Sequence, residues 1–303
     1  MIDNYYLSQK ALKHGIDIIG IVNRELLREF SEVVRNNVGN LKPAFFGGKM
    51  AQRLNAEKLL EENKGIISFG VSYASSLTAP DNKDSRVSIA KSAYGIDYHV
   101  VLKKYAESLM GEISATYPCR YEIHADTGIF LDRVAAYCAG IGFYGKNNFI
   151  INEKYGSYIF LGCILTDLPL DSSLSPHDQK CGDCADCLKA CPGKAYSQGN
   201  LCHERCISYL TQKGKNPPFS RSIYGCDICQ EVCPFNRDIP RNIHSEFAET
   251  AENAYPKAED ILKMGREGFE EKYGKSSMAW RGYDTIRANC EGVITAGRRK
   301  SEE

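Results

Sequence analysis

The sequence predicts a protein of mixed helix and sheet, α/β in its N-terminal part, cysteine-rich in the middle and helical at its end. Three observations carry this reading. Residues 1 to about 170 alternate short apolar runs with helical periodicity, as strands and helices sharing one core do. Between Cys181 and Cys233 the cysteines keep a repeated spacing. Beyond Asn236 the chain is charged and helical in pattern. The corresponding boundaries are 1–172, 173–240 and 241–303.

In chain order, Asp17–Val22 (DIIGIV) and Ile66–Tyr73 (IISFGVSY) are apolar, rich in β-branched and aromatic residues, and read as strands. Residues 54–63 (LNAEKLLEEN) read as helix and residues 79–85 (APDNKDS) as an exposed loop. Val100–Ile113 has apolar residues at helical spacing. A further helix is expected to start at Asp126 or Thr127, with Ile129, Val134, Tyr137 and Cys138 near one face and glycines at its end. Phe149–Asn152 and Ser157–Thr166, separated by EKYG, read as a hairpin. Pro169 and Pro176 mark a linker, and the final GRRKSEE is expected to fray. Cys138 and Cys163 fall in apolar patterns and read as small core residues, while Cys202 has no evident duty.

The 303 residues suffice for two domains or more. Lys plus Arg and Asp plus Glu number 38 each, which excludes a globally basic nucleic-acid binder but leaves room for a local basic patch. The polar start MIDNYYLSQKALKHG lacks a signal-peptide core, and no stretch reaches the roughly 18 apolar residues of a membrane span. The expectation is a cytoplasmic protein with reduced thiols.

The cysteines carry the chemistry. Cys181-x2-Cys184-x2-Cys187-x3-Cys191-Pro192 is the run that, in two-cluster ferredoxins, gives three ligands to one 4Fe-4S cluster and the fourth to the other. Cys226-x2-Cys229-x3-Cys233-Pro234 repeats it, with Ile223 where the first cysteine would stand. With the fourth ligand swapped, one cluster takes Cys181, Cys184, Cys187 and Cys233. The other takes Cys191, Cys226, Cys229 and a cysteine from the connecting stretch, Cys206 or Cys202, with Cys206 favoured. Zinc also uses C-x2-C pairs, and disulfides need an oxidising compartment, but neither explains the doubled rhythm. The middle part is therefore expected to be a double 4Fe-4S, ferredoxin-like domain. A mere electron relay needs no α/β domain of this size in front of it, so the N-terminal part should hold an acceptor, a second cofactor or a substrate. Neither a Rossmann glycine fingerprint nor a P-loop is present, which argues against nicotinamide and nucleoside triphosphate and leaves a flavin open.

Several stretches together resemble the epoxyqueuosine reductases, iron-sulfur and cobalamin enzymes of tRNA queuosine biosynthesis. They are Tyr94-Gly-Ile-Asp97-Tyr98-His99, Asp126-Thr-Gly-Ile-Phe-Leu-Asp132-Arg133, Gly142-Phe-Tyr-Gly145-Lys146-Asn147, Gly156-Ser157-Tyr-Ile-Phe-Leu161-Gly162 and Leu165-Thr-Asp-Leu-Pro169. Arg205-Cys206-Ile-Ser208-Tyr-Leu-Thr211 and Tyr224-Gly-Cys226-Asp227-Ile-Cys229-Gln230-Glu-Val-Cys233-Pro234 extend the likeness, as does Phe269–Asn289. It covers about residues 50 to 290, and the RCISYLT setting supports Cys206 over Cys202 as the lone ligand.

The resemblance implies reduction of the epoxide of epoxyqueuosine to the alkene of queuosine. Two electrons come through the clusters to a cobalamin that reaches Co(I), and an acid protonates the departing oxygen. That acid is implied to be Asp126, although HADTGIFLDR departs from the Asp-Ser-Ala-Pro-like stretch usual in the family. Its pKa must then rise from about 4, which burial against the corrin and away from cations would do. On the residues alone Asp126 also reads as a helix N-cap, and Asp132, inside the helical pattern, as solvent-facing. Cobalamin contacts are implied at Arg53, Asp126, Lys146, Asn147, Ser157, Leu161, Ser208, Thr211 and Asp227. Arg53 lies in MAQRLNAEKLL, where Asn55-Ala56 departs from the family's Asp-Pro. Leu102 occupies the glycine position of the Asp-x-His-x-x-Gly box, so no histidine is expected on cobalt, and His99 is expected to give packing or polar support at a helix start.

The implied partners are tRNA with a GUN-type anticodon carrying epoxyqueuosine and an electron donor such as flavodoxin or ferredoxin, with the protein a monomer off the membrane. Lys213, Lys215, Arg221, Arg281 and Arg287 are candidate phosphate contacts. A chain ending at residue 303 is expected to lack the helical repeats that some members append. Two other readings compete: a cobalamin-dependent reductase of another substrate, reductive dehalogenase-like or corrinoid-reducing, and a ferredoxin-type electron-transfer protein whose N-terminal domain docks partners.

Overall fold

The structure is a computed structural model that describes residues 2–29, 65–78, 86–126, 132–172, 177–197 and 200–302. The chain forms two compact units, one of Met1–Ser72 and His99–Asp183, the other of Tyr73–Tyr98 and Cys184–Glu303. Compactness therefore does not follow the sequence boundaries at 172 and 240. Residues 73–98 join the cysteine-bearing unit, and the C-terminal helices form one body with it. Arg53, the helical pattern of 54–63 and the loop 79–85 lie outside the described residues.

The first unit is built on a four-stranded sheet of β1 (Ile18–Ile21), β2 (Gly65–Ser72), β3 (Tyr121–His124) and β4 (Ile159–Thr166), in the order β1-β2-β4-β3. Every pairing is antiparallel, with Ile19 opposite Phe69, Phe69 opposite Gly162 and His124 opposite Cys163. All eight residues of β2 are buried, so both its faces are covered, which explains its unbroken apolar run. The strands expected from Asp17–Val22 and Ile66–Tyr73 are β1 and β2 to within a residue or two.

The expected hairpin is not formed as read. Ile150–Ile151 pairs with Phe143–Tyr144, and β4 lies between β2 and β3. The reason is that β4 (IFLGCILT) is apolar on both faces, and only a central position buries both. The intervening EKYG turn is held by Asn152, whose Oδ1 accepts from Lys154 N at 2.9 Å and Tyr155 N at 3.0 Å.

Helix α1 (Asn4–Ala11) packs beside β1, and α2 (Tyr98–Thr116) is tied to its end through Glu112, which binds Lys10 and His14. Helix α3 (Asp132–Cys138) covers the other residues of the sheet, its Val134, Ala135 and Cys138 packing with Ile66, Cys163 and Leu165. Its end approaches β1 so closely that a Cβ on Gly20 would stand 2.3 Å from Ala139 O, so only glycine fits there.

In the second unit α4 (Asp186–Ala190) packs on α6 (Ile228–Glu231), with α5 (Ile207–Thr211) between them in sequence. The long helices α7 (Ala258–Tyr273) and α8 (Gly282–Glu302) close on a core that includes Ile89, Tyr94, Ile223, Phe269 and Ile286. The backbone of α8 is helical to Glu302, where fraying was expected. Ile223 is fully buried in the strand Ser222–Tyr224, which pairs in parallel with Ser88–Ile89. The cysteine missing from the second run is thus replaced by a core residue.

Asn289, also fully buried, joins three segments of this unit. Its Nδ2 donates to Thr211 O at 2.7 Å and Ile223 O at 2.8 Å, and its Oδ1 accepts from Asn216 N at 3.2 Å. Asn289→Ala strands these buried groups and is expected to cost about 2–4 kcal/mol, lowering the thermal midpoint of the second unit by several degrees. An unchanged midpoint in calorimetry would contradict this bracing role.

Candidate functional site

The cysteine-bearing unit gathers four thiols. Gly193, two residues after Cys191, lies so near Arg205 O that a Cβ would sit 2.0 Å away, so the segments of Cys191 and Cys206 are pressed together. Cys206 caps α5, and Asp227, between Cys226 and α6, caps the helix that carries Cys229. Cys206 is coupled electrostatically to Cys191, Cys226 to both of these, and Cys229 to Cys226 and Cys206. Each sulfur also receives a hydrogen bond: Cys191 from Ala195 N at 3.4 Å, Cys206 from the amides of Ser208 and Tyr209, Cys226 from that of Ile228, and Cys229 from the Tyr196 hydroxyl.

Burial pushes the Cys226 and Cys229 thiols up to about 12, and raises Cys206 too. Sulfurs withdrawn from water yet supplied with N–H and O–H donors are poor free thiolates and good metal ligands, since a metal supplies the charge that favours deprotonation. Among the described residues, no three His, Cys, Asp or Glu side chains converge tightly enough to grip one ion. The Cys202 Sγ lies 3.5 Å from Glu204 Oε2, and its N–H donates to Ala195 O at 2.7 Å. Of the other run, Cys187 on α4 and Cys233 just after α6 are buried, while the boundary between the units falls between Cys181 and Cys184.

Other residues singled out in this unit are occupied internally. Thr211 is fully buried, its hydroxyl donating to Ile207 O at 3.0 Å and accepting from Gly225 N at 3.0 Å. Asp227 accepts from Lys91 N at 2.7 Å and from Gln230 Nε2 at 3.1 Å, and desolvation pushes its carboxyl up to about 6. It thereby ties the segment 88–91 to α6.

The first unit holds a separate group around Asp126. The residue has φ 54°, left-handed backbone that a side chain rarely adopts and that clusters at functional sites. It is therefore not a helical residue, and the described helix begins at Asp132. Asp132 is not solvent-facing either. Its Oδ2 accepts from Asp126 N at 3.0 Å, its Oδ1 is buried, and its carboxylate meets the enclosed thiol of Cys163, whose pKa is driven up first by burial and then by Asp132. The Asp126 carboxyl points outward, 67% exposed, with Oδ2 at 3.8 Å from His99 Nε2 at the start of α2.

The β3–β4 ladder ends at His124 opposite Cys163, so the chain leaving β3 carries Asp126 toward half-buried Leu161. Arg133, next to Asp132, donates to Asn148 O at 3.0 Å and lies 5.3 Å from the Phe149 ring, fastening that turn to α3. Asn147 is buried, its Oδ1 accepting from Phe149 N at 3.2 Å, and Ser157 is buried. The Lys146 ammonium donates to Gly182 O. Sequence reasoning missed Asp132 as the anchor of Asp126. The six-residue separation was visible, but the side chain's direction was not.

Asp132→Ala removes a charge-assisted bond and is expected to speed hydrogen exchange at the Asp126 amide by roughly ten- to a hundredfold. Unaltered exchange would mean that Asp132 does not hold this loop.

The gathered cysteines define the second unit as that of an iron-sulfur protein, while the Asp126–Asp132 pair lies on the first. Residues 180–236 match the 4Fe-4S double cluster binding domain, and residues 53–127 match the family described as epoxyqueuosine reductase QueG, DUF1730. The epoxyqueuosine reductase of Lactococcus garvieae is 35% identical over 250 residues, covering 78% of this chain and 70% of that protein. Among solved structures, an epoxyqueuosine reductase with a tRNA-Tyr epoxyqueuosine-modified stem loop superposes with TM-score 0.84 at 29% identity, covering 96% of this chain and 80% of that one. The Bacillus subtilis epoxyqueuosine reductase, solved with its catalytic aspartate loop swung out of the active site, gives TM-score 0.84 at 29% identity over 96% of this chain and 81% of that one. The chain belongs to the epoxyqueuosine reductase family.

Proposed function

We propose that the protein reduces epoxyqueuosine to queuosine at the wobble position of tRNA, with Asp126 as proton donor and two 4Fe-4S clusters relaying electrons to cobalamin. The observation that carries this reading is the 35% identity over 250 residues to a reductase of that name, in a chain whose Cys191, Cys206, Cys226 and Cys229 stand together. These four hold one cluster, and Cys181, Cys184, Cys187 and Cys233 the other, as the crossed ligand pattern of two-cluster domains requires.

Cobalamin is proposed to lie against Asp126, Leu161 and the Lys146–Asn147 turn, with Ser157, Ser208, Thr211, Asp227 and Arg53 supporting it. An exposed carboxyl on a strained loop and a half-buried Leu161 suit a large, mainly apolar ring with a polar rim. The Thr211 hydroxyl and the Asp227 carboxylate are already engaged within their own unit. When bound, cobalamin supplies the strong reductant that opens the epoxide.

Reduction of an epoxide to an alkene consumes two electrons and two protons and releases water. Asp126 gives a proton to the departing oxygen. A flipped base seated over the exposed carboxyl removes its water, which favours the protonated form needed for that step. Backbone strain and the Asp132 anchor hold the acid in place. Of the proposed phosphate contacts, Arg221 donates to Arg86 O, Arg281 to Gln212 Oε1, Arg287 pairs with Glu291 at 3.2 Å, and the Lys213 ammonium lies 5.7 Å from the Tyr209 ring centre, with Lys215 completing the set. A flavodoxin or ferredoxin is proposed as donor, to a cytoplasmic monomer; no described helix is long and apolar enough to cross a membrane.

Asp126→Asn is expected to slow single-turnover conversion of epoxyqueuosine-tRNA by roughly 10²–10⁴-fold while iron and cobalamin content stay unchanged. A variant that retains the wild-type rate would remove Asp126 from the chemistry. Cys206→Ser is expected to halve bound iron, from about eight atoms per chain to about four, whereas Cys202→Ser leaves it intact. Equal losses in both would overturn the choice of Cys206. Tyr196→Phe deletes a donor to Cys229 and is expected to lower one cluster potential by on the order of tens of millivolts in redox titration.

A further inference from the structure

We propose that His99 and Asp126 form a single proton-holding pair in which His99 is the positioning residue that loads the acid. This rests on Asp126 acting as proton donor. Three observations from the first unit support it. The two side chains approach with Nε2 to Oδ2 at 3.8 Å. Their exposures are opposite, since the His99 side chain is 18% exposed with Nε2 itself enclosed, while the Asp126 side chain is 67% exposed. Asp126 is also fixed, by its left-handed backbone and by the bond from its N–H to Asp132, and its carboxyl is the exposed member of the pair. The carboxyl is therefore the group that a molecule bound from solvent meets.

The chemistry follows from solvation. With the face open, water stabilises both charges, and the pair rests as carboxylate and imidazolium. A base settling over the carboxyl removes that water, and two opposite charges in a dry site are less stable than the neutral pair. Once the two side chains close from 3.8 Å to hydrogen-bond distance, the Nε2–H bond breaks, an O–H bond forms on Oδ2, and no electron moves. The carboxylic acid then passes this proton to the departing oxygen, leaving carboxylate beside neutral imidazole. The second proton of the reaction comes from solvent water, and the pair reloads when its face is uncovered. Substrate binding itself thus converts a water-exposed carboxylate into an acid.

The other ionisable groups on the surrounding elements have partners of their own. Lys103 on α2 pairs with Glu107 at 3.8 Å, and His124 on β3 lies 3.1 Å from Glu122. On α3, Asp132 holds the Asp126 amide and Arg133 binds Asn148 O. The negative charge of Asp132 opposes ionisation of Asp126 and favours protonation of His99, so it acts in the same direction as the pair.

The test is a histidine-ring NMR titration of the fully reconstituted, oxidised protein, comparing wild type with Asp126→Asn and using His99→Gln to assign the signal. The His99 ring is expected to titrate above the ordinary value of about 6.5 and to fall by roughly one pH unit in Asp126→Asn. No difference between the two proteins would overturn the pair. In single turnover, the rate of His99→Gln is expected to fall at lower pH than that of wild type, giving at least a tenfold deficit at pH 8 that closes toward pH 5.5. Coincident profiles would overturn the loading role. If wild type leaves epoxyqueuosine-tRNA unchanged, the proposed function fails, while the NMR comparison still decides whether the two residues are coupled.

Discussion

The second unit depends on the partial withdrawal of its sulfurs from water. Cys206, Cys226 and Cys229 are buried enough that their thiols resist ionisation, yet amides and the Tyr196 hydroxyl are turned toward them. Such an arrangement is unfavourable for free thiolates and favourable for a cluster that supplies positive charge. The surrounding design serves it. Gly193 lets two cysteine segments touch, Asp227 fastens α6 to the segment of Lys91, and Asn289 braces α8 against residues 211–223, just ahead of Cys226.

The first unit solves a different problem, that of holding one carboxyl in an awkward conformation. A buried sheet and α3 form a rigid base, and Asp132, at the first turn of that helix, reaches back to the Asp126 amide. The energy stored in a left-handed aspartate, of order 1–3 kcal/mol, is offset by this bond and by the packing behind it. The carboxyl is left exposed on a firm support, available to whatever covers that face.

The cysteine domain was legible because ligation dictates spacing, and spacing survives in a sequence. The reading of Ile223 as a missing ligand was similarly available, but its burial in a core with Phe269 and Ile286 was not, since that depends on helices more than forty residues away. Strands β1 and β2 were legible from local composition. The position of β4 was not, because an apolar run announces burial without naming its neighbours. Residues 73–98 join the second unit through long-range bonds such as Arg86 Nη1 to Tyr255 O and Lys91 N to Asp227, which leave no periodic trace. Asp132 was misjudged for a related reason. Helical position fixes which face a residue occupies, and the orientation of that face was unknown.

The most direct test of the account is a comparison of anaerobically reconstituted wild-type protein with and without added cobalamin, each given a low-potential reductant and tRNA bearing epoxyqueuosine, with nucleosides read by mass. The account predicts queuosine only when cobalamin is present. Epoxyqueuosine left intact by protein that carries both clusters and bound cobalamin, or queuosine formed equally without cobalamin, would contradict it.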